Sequence, residues 1–220
     1  MTLLAGIDEA GRGPVIGPLV LAIVTLDDDG VAEMQDLNVR DSKKVAVSRR
    51  LELEPLIKEA AVEYSLIKLS PGEIDSMRKK MSLNLLEAYR SAELITLLKT
   101  MPDKVTIDAT DNIAADYRKR ILDCIETIKP GFKPPAIVAE HKADDNYIEV
   151  SAASILAKVE RDRDIEELKV EHGNFGSGYP ADPRTQEFLA KLVKKGELPD
   201  CVRMSWSTID KFKQASLGDF

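Results

Sequence analysis

Two apolar runs near the N-terminus, LLAGI and PLVLAIVTL, are separated by a short charged and glycine-rich segment. Runs of this length, rich in branched aliphatic residues and bounded by glycine and proline, predict two buried strands with a tight connection. The segment between them covers residues 8–17 and begins with DEAGRG at residues 8–13. Adjacent carboxylates at the end of a buried strand are costly unless a partner offsets their charge. The segment therefore predicts either a hairpin turn whose acids face water or a functional site.

Two phosphate-binding motifs resemble this segment, and neither fits. A dinucleotide fingerprint requires a third glycine where Ile16 stands, and it requires a helix where PLVLAIVTL predicts a strand. A phosphate-binding P-loop starting at Gly6 requires lysine and a hydroxyl residue where Arg12 and Gly13 stand. The sequence excludes both motifs.

Length and composition predict a cytoplasmic globular protein. The chain has 220 residues, of which 44% are hydrophobic, enough for a substantial core in one domain or in one domain with a small appendage. No apolar run reaches the roughly 18 residues of a membrane span, and the N-terminus lacks a signal-peptide pattern. Cys124 and Cys201 have no metal-binding spacing, which predicts reduced thiols and no zinc site.

The distribution of charge leaves two interpretations open. The net charge of −7 argues against a general nucleic-acid binder, because such proteins usually carry a basic excess. Residues 184–213 nevertheless hold seven basic residues against four acidic ones. This local excess predicts either a solvated face or a basic C-terminal flank that contacts a polyanion.

Hydrophobic periodicity predicts an α/β fold with a mixed central sheet, flanking helices and a small C-terminal helical cap. The polar stretch 27–44 is predicted to be a connection, and Ser82 is predicted to cap a helix. The predicted strands cover residues 3–9, 18–26, 62–70, 103–110 and 135–144, and the predicted helices cover 48–61, 82–101, 112–128, a long stretch after residue 147, 184–195 and 205–212.

Further acids follow two later strands of the predicted sheet. Asp108 ends KVTID, and Asp144 and Asp145 follow AIVAEHK. Because the carboxyl ends of neighbouring parallel strands lie together, we expect these acids to cluster with Asp8 and Glu9. Oxygen ligands without histidine or cysteine favour a hard ion, Mg²⁺ or Mn²⁺. Adjacent strand residues point to opposite faces, so we expect the glycine-rich departure after Glu9 to break this alternation.

The motifs GIDEAGRGPVIGPLV, DSKK, TIDA, EHKAD, SAASILAKVERD and GSGYPADP, in this order, resemble the ribonuclease HII family, and in detail its archaeal branch. The resemblance extends from Gly6 to about Pro183. It implies a ribonuclease H-like catalytic domain over residues 1–172 and a C-terminal helical region over residues 173–220 that completes the substrate-binding cleft.

The resemblance also assigns roles to residues of this sequence. It implies that four carboxylates are catalytic and bind Mg²⁺ or Mn²⁺: Asp8, Glu9, Asp108 and Asp144. It implies that a loop recognises the ribonucleotide (Gly11, Arg12 and Gly13) and that Tyr179 packs on the sugar just past the scissile phosphate. It implies that the nucleic-acid backbone is approached by Ser42, Lys43 and Lys44, with Lys158 and Arg161 as further substrate contacts.

The activity implied is metal-dependent hydrolysis of the RNA strand of RNA–DNA hybrids, and cleavage at ribonucleotides embedded in duplex DNA, by a monomer that has no membrane partner. Glycines without a Cβ let the backbone approach a ribose, and the 2′-hydroxyl distinguishes RNA from DNA. A nuclease of the same fold that acts on DNA alone is disfavoured by GRG and GYP. A non-catalytic nucleic-acid-binding module would be expected to lack some of the four acids, and all four are present.

Overall fold

The computed structural model describes residues 2–39 and 45–217. Its strands are β1 (Leu4–Ala10), β2 (Leu19–Leu26), β3 (Glu63–Leu69), β4 (Lys104–Asp108) and β5 (Ala136–Glu140). Its helices are α1 (Asp28–Asp36), α2 (Val47–Ala60), α3 (Pro71–Arg78), α4 (Leu83–Leu97), α5 (Ala114–Ile128), α6 (Ala143–Asn146), α7 (Ile148–His172), α8 (Pro183–Lys195) and α9 (Ser207–Leu217). None of the helices in these described ranges is long and apolar enough to cross a membrane.

The five strands form one mixed sheet in the order β3-β2-β1-β4-β5. β1 runs antiparallel to β2 and parallel to β4, and β4 runs parallel to β5. An antiparallel start followed by strand–helix–strand units produces this arrangement, because parallel neighbours need a crossover connection. The predicted mixed sheet is therefore confirmed, and its parallel part brings the carboxyl ends of β1, β4 and β5 to one edge.

Three of the helices, α1, α3 and α6, were not predicted from the sequence, and α6 begins within the stretch 135–144 that was predicted as a strand. α1 lies in the polar stretch after β2 that was predicted to be a connection, and only Gly30 and Met34 of its residues are buried. Its N-terminus is capped by the Asp27 carboxylate, which accepts a hydrogen bond from Gly30 N. α3 begins with a capping box between Ser70 and Glu73. Short helices with few buried positions show little apolar periodicity. The capping residues of α1 and α3 are therefore the features of the sequence that indicate these two helices.

The chain forms two compact units, and the first contains most of the sheet. It comprises the described residues of Met1–Ala10, Val20–Ile67 and Ser82–Val159. In its core, alternate residues of β2 pack with α2 and with the N-terminal half of α7. A Cβ added at Gly6 of β1 would lie 2.2 Å from the backbone carbon of Glu149, so α7 begins directly against the strand.

The second unit comprises the described residues of Gly11–Leu19, Lys68–Met81 and Glu160–Phe220. Its own hydrophobic core includes Ile16, Phe175, Leu189 and Ile209. The segment after Gly13 pairs with the C-terminal region through an isolated bridge between Ile16 and Val202. The domain division predicted after residue 172 stays a prediction.

Candidate active site

Asp8 and Asp108 lie at the carboxyl ends of two paired parallel strands. The register of β1 and β4 pairs Ile7 with Ile107, so the next residue of each strand is an aspartate. Asp8 is only 5% exposed. Burial, with a smaller contribution from the charge of Asp108, raises the pKa of Asp8 to about 6. A carboxyl group whose ionised form is disfavoured in this way gains from a nearby cation.

α7 supplies the groups that oppose this rise in the pKa of Asp8. The buried Ser154 hydroxyl forms a hydrogen bond with the Asp8 side chain, and the positive charge of Lys158 also favours the carboxylate. Lys158 Nζ donates to Ser154 Oγ over 2.6 Å. The structure therefore places Lys158 beside Asp8, and its predicted contact with substrate stays a prediction.

Asp144 is held next to Asp108 by the start of α6. Ala143 N donates to Asp108 Oδ1 over 2.9 Å, which fixes the first turn of this short helix at the end of β4. Asp144 is 1% exposed, whereas Asp145 is exposed. The assignment of Asp144 rather than Asp145 to the site stays a prediction.

Glu9 follows Asp8 directly in β1, and its amide donates to Asp8 Oδ1 over 2.8 Å. The ladder with β2 stays regular through Glu9 and Ala10, which pair with Leu21 and Val20. The glycine-rich departure begins only at Gly11, beyond both acids. Successive residues of a regular strand point to opposite faces, so this ladder does not direct Asp8 and Glu9 to one point.

The donor chemistry of the acids fits a hard divalent ion. Within the described ranges 2–39 and 45–217, no three side chains of histidine, cysteine, aspartate or glutamate form a group that could hold a metal ion. Asp8, Asp108 and Asp144 nevertheless offer only carboxylate oxygens, the ligands that Mg²⁺ and Mn²⁺ prefer. The repulsion between Asp8 and Asp108 is the feature that a cation would relieve.

The GRG loop (residues 11–13) belongs to the second unit. Gly11 has φ +90°, and a Cβ there would lie 2.4 Å from the Pro18 carbonyl oxygen, so only glycine fits. A Cβ added at Gly13 would lie 3.3 Å from Tyr179 Cε1. The structure therefore brings Gly13 and Tyr179 together, although 165 intervening residues separate them in the chain.

Arg161 joins the GRG loop to the segment that carries Tyr179. Its guanidinium carbon lies 5.4 Å from the Tyr179 ring centroid, and its Nη2 donates to the Ser177 carbonyl over 3.1 Å. Its stem passes beside Gly11, where a Cβ would approach Arg161 Cδ to 2.9 Å. Because the Arg161 side chain is only 10% exposed, these contacts account for most of it, and its predicted contact with substrate stays a prediction.

Arg203 contacts the GRG loop, and sequence reasoning missed it. The sequence counts it among the basic residues of the C-terminal flank, but the structure buries it completely. It donates to the carbonyl oxygens of Gly11, Arg12 and Gly17. The sequence shows only that residue 203 is basic. Its burial depends on contacts with residues almost 200 positions away in the chain. Arg203 therefore does not contribute to a surface that binds a polyanion.

Three predicted contacts with the nucleic-acid backbone, Ser42, Lys43 and Lys44, lie outside the described residues. The two cysteines are free and buried.

The sheet and the acids at its edge define an α/β protein with a ribonuclease H-like fold. The family model for ribonuclease HII matches residues 5–209, and the chain belongs to this family. Ribonuclease HII from Thermococcus onnurineus is 46% identical over 212 residues, covering 96% of this chain and 90% of the relative. Ribonuclease HII from Archaeoglobus fulgidus is 43% identical over 218 residues, covering 98% and 99%. The chain is therefore an endoribonuclease of the type 2 ribonuclease H class.

Solved structures agree with this membership. Ribonuclease H2 from Pyrococcus horikoshii OT3 superimposes with a TM-score of 0.89 at 38% identity, covering 98% of this chain and 99% of that one. A complex of PCNA with RNase HII from Archaeoglobus fulgidus gives a TM-score of 0.85 at 41% identity, covering 99% and 100%. Bst-RNase HIII in complex with Mn²⁺ gives 0.80 at 21% identity, covering 98% and 70%, which shows the shared fold.

Proposed function

We propose that the chain is a divalent-metal-dependent endonuclease that hydrolyses the RNA strand of RNA–DNA hybrids and cuts at ribonucleotides embedded in duplex DNA. One observation carries this proposal: in a member of the ribonuclease HII family, acids meet at the ends of paired strands. Asp8 and Asp108 end two paired parallel strands, and Asp144 is anchored beside Asp108. Hydrolysis consumes one water and breaks the bond between phosphorus and the 3′-oxygen, leaving a 3′-hydroxyl and a 5′-phosphate.

The acids would hold Mg²⁺ or Mn²⁺ through their carboxylate oxygens. We assign this role to Asp8, Asp108 and Asp144, and we retain Glu9 because the family resemblance implies it. Two such ions supply an activated attacking water and stabilisation of the leaving oxygen in an in-line displacement. In the chain itself, Ser154 and Lys158 favour the ionised form of Asp8, and the amide of Ala143 fixes Asp108.

The second unit would select the sugar. The glycines of the GRG loop leave room for a ribose against the backbone, and backbone groups can hydrogen-bond the 2′-hydroxyl. Tyr179, beside Gly13, would pack on the sugar after the cut. A 2′-hydroxyl at that sugar would crowd the ring, so we expect a preference for a ribonucleotide followed by a deoxynucleotide.

Ser42, Lys43 and Lys44 would approach phosphates of the duplex. A lysine that contacts a phosphate releases a counterion on binding, so affinity falls as salt rises. Lys43→Ala should lower the magnitude of the salt slope by about one unit if Lys43 makes such a contact. An unchanged slope would instead assign Lys43 to the solvated surface.

We further propose a cytoplasmic monomer that takes part in removing ribonucleotides from DNA. Because the Archaeoglobus relative was solved with PCNA, PCNA is also a candidate partner for this chain. Size-exclusion chromatography with light scattering, with and without Archaeoglobus fulgidus PCNA, tests both ideas. A monomer mass alone and co-elution in the mixture would support them, whereas a dimer mass or separate elution would contradict the respective proposal.

The proposed reaction is tested with a labelled DNA duplex that contains one ribonucleotide. We expect a single cut at the ribonucleotide in Mg²⁺ or Mn²⁺, a 3′-hydroxyl that a polymerase extends, and no cut after the metal is chelated. The matched control is the same duplex with a deoxynucleotide at that position, which should stay intact. Cleavage that persists in chelator, or equal cleavage of the control duplex, would overturn the proposal.

A further inference from the structure

The guanidinium of Arg203 is a buried charge beside the GRG loop. A buried charge is costly unless hydrogen bonds compensate it, and Arg203 is fully buried. Its Nε donates to the Gly17 carbonyl over 2.8 Å, its Nη1 to the Arg12 carbonyl over 3.2 Å and its Nη2 to the Gly11 carbonyl over 2.6 Å. One side chain therefore binds three backbone carbonyls in and just after the GRG loop.

Trp206 extends this set of contacts to the last residue of the loop. Its Nε1 donates to the Gly13 carbonyl over 3.2 Å. Its ring lies 4.7 Å from the guanidinium carbon of Arg203, a cation–π distance. We call Arg203 and Trp206 together the carbonyl clamp, because between them they bind the carbonyl oxygen of every residue in the GRG loop.

Backbone pairing fixes the position of Arg203. Gly17 N donates to the Cys201 carbonyl, Ile16 bridges to Val202, and Arg203 N donates to the Val15 carbonyl. This short ladder aligns the C-terminal segment with the residues that follow the loop.

α3 fixes the other half of the clamp. The Asp75 carboxylate accepts hydrogen bonds from Met204 N and Ser205 N, and Arg78 Nη1 donates to the Ser205 carbonyl. The guanidinium of Arg78 also lies 4.8 Å from the Trp206 ring centroid. Both members of the clamp are thus held in place by groups other than the loop.

The clamp determines where the amide groups of the loop point. A trans peptide holds its C=O and the following N–H on opposite sides of the bond. Because the carbonyls of Gly11 and Arg12 turn toward Arg203, the N–H groups of Arg12 and Gly13 turn away from it. Two adjacent amide donors are therefore presented on the face of the loop opposite the clamp, and Gly13 itself is exposed.

We infer that Arg203, assisted by Trp206, is a positioning residue for sugar recognition, which orients the amide groups of Arg12 and Gly13 toward the ribonucleotide. This inference rests on the proposed function of the GRG loop. Lysine has one amino group on a flexible stem, so it cannot reproduce the fork that binds three carbonyls at once. A lysine at position 203 would therefore keep the positive charge but would not be sufficient for recognition of the sugar.

The test compares Arg203→Lys with a matched core variant, Leu189→Ala. Leu189 is fully buried in the hydrophobic core against which Trp206 packs, but its side chain has no hydrogen-bonding group, so its loss destabilises the unit while the hydrogen bonds of the clamp remain. Cleavage of the duplex with one ribonucleotide is measured in Mg²⁺ well below the melting temperature of both variants. We expect kcat of Arg203→Lys to fall about 100-fold, the effect of misplacing a substrate-positioning group, with KM little changed because phosphate contacts persist.

The outcomes separate the inference from the proposed function. Wild-type protein that leaves the ribonucleotide duplex uncut contradicts the proposed function and with it the inference. If the wild type cuts the duplex and Arg203→Lys has the same kcat, the role of Arg203 is contradicted and the proposed function is not. An equal loss of kcat in Arg203→Lys and Leu189→Ala also contradicts only the role of Arg203. We expect Leu189→Ala to keep kcat within about threefold of the wild type, because its defect is in stability.

A second variant decides the matter if Arg203→Lys does not fold. Trp206→Phe keeps a ring beside Arg203 but removes the donor to the Gly13 carbonyl. We expect kcat to fall about tenfold and the melting temperature to fall by only about 2–4 °C, in line with the loss of one hydrogen bond. A wild-type kcat in this variant would overturn the inference.

Discussion

Tyr179 shows at the scale of one residue how the loop and the sugar are expected to meet. It lies in the glycine-rich connection between α7 and α8, and 42% of its surface is exposed. One edge of its ring approaches Gly13, and the guanidinium of Arg161 lies over the ring. The ring is therefore held on two sides and still accessible to a ligand.

We expect Tyr179→Ala to lose more activity at a single embedded ribonucleotide than within a continuous RNA–DNA hybrid. The difference in kcat/KM should be about tenfold, equivalent to about 1.4 kcal/mol of contact with the sugar after the cut. Tyr179→Phe should retain most of the preference, because the ring face makes the proposed contact. Both substrates are assayed for each variant, together with its melting temperature. An equal loss on both substrates with a large fall in melting temperature would make Tyr179 a purely structural residue.

Gly6 allows strand β1 and helix α7 to pack in close contact. It pairs with Val24 of β2 and Thr106 of β4, and a Cβ there would lie 2.2 to 2.3 Å from backbone atoms of Glu149 and Val150. Backbone atoms at this distance cannot move aside without shifting β1 or α7. These two elements carry Asp8 and the residues that hold it, so the glycine at position 6 supports the geometry of the acids.

Gly6→Ala should lower the free energy of unfolding by about 2 kcal/mol, the usual cost of overpacking a close contact. Gly72→Ala is the matched control, since nothing lies within 4 Å of the added Cβ and α3 contains this position. We expect the control to be neutral or up to about 1 kcal/mol more stable, because alanine favours a helix over glycine. Urea unfolding measures both. A Gly6→Ala protein as stable as the wild type would show that α7 moves freely against β1.

Asp182 caps α8 and gives this element a pH dependence. Its carboxylate accepts hydrogen bonds from Ser177 N and Arg184 N. The amide of Ser177, with smaller contributions from the Ser177 side chain and the amide of Arg184, holds the pKa of Asp182 well below its usual value. A carboxyl group whose pKa is lower in the folded state stabilises the fold above its unfolded pKa and loses that contribution as pH falls through its folded pKa.

Asp182→Asn should therefore melt at a lower temperature than the wild type at pH 7, and this difference should shrink as pH falls below about 4, the unfolded pKa of aspartate. Thermal melts at pH 7, 5 and 3 measure the difference. Asp200→Asn, which removes an exposed charge from the same unit, serves as the control for net charge. A difference between Asp182→Asn and the wild type that stays constant over this range would contradict the assigned hydrogen bonds.

The sequence predicted the elements whose periodicity is strong and whose boundaries carry breakers. β1, β2, β4 and β5 were readable as apolar runs that end in acids or glycine, and Ser82 was correctly predicted to cap α4. These features depend on local chemistry, which a single sequence contains in full.

The features that the sequence did not predict depend on distant contacts. Arg203 has the same sequence character as the exposed lysines of the C-terminal flank, and only its pairing with residues 15–17 buries it. The substrate contact that the family resemblance implies for Lys158 stays a prediction, and the sequence did not indicate its hydrogen bond to Ser154 beside Asp8. A side chain's charge indicates that it needs a partner, but not which partner the fold supplies.

At the scale of the whole molecule, the residues proposed to bind metal and those proposed to select the sugar belong to different units. Asp8, Asp108 and Asp144 lie in the unit that holds most of the sheet, and the GRG loop, Arg161, Tyr179 and Arg203 lie in the other. The second unit also contains residues 14–19 and 68–81, which no local pattern assigns to a C-terminal helical region. We therefore expect that losing an acid and losing a loop contact have separable effects.

The variants Asp108→Asn and Asp8→Asn test most directly whether the acids at the strand ends are catalytic. Each substitution removes the charge of one proposed metal ligand and keeps the size of the side chain. We expect cleavage of the ribonucleotide duplex at saturating Mg²⁺ to be nearly abolished in both variants, while affinity for the duplex stays close to that of the wild type because phosphate contacts persist elsewhere. Substantial cleavage in both variants at saturating Mg²⁺ would contradict the assignment of Asp8 and Asp108 as the metal-binding catalytic residues.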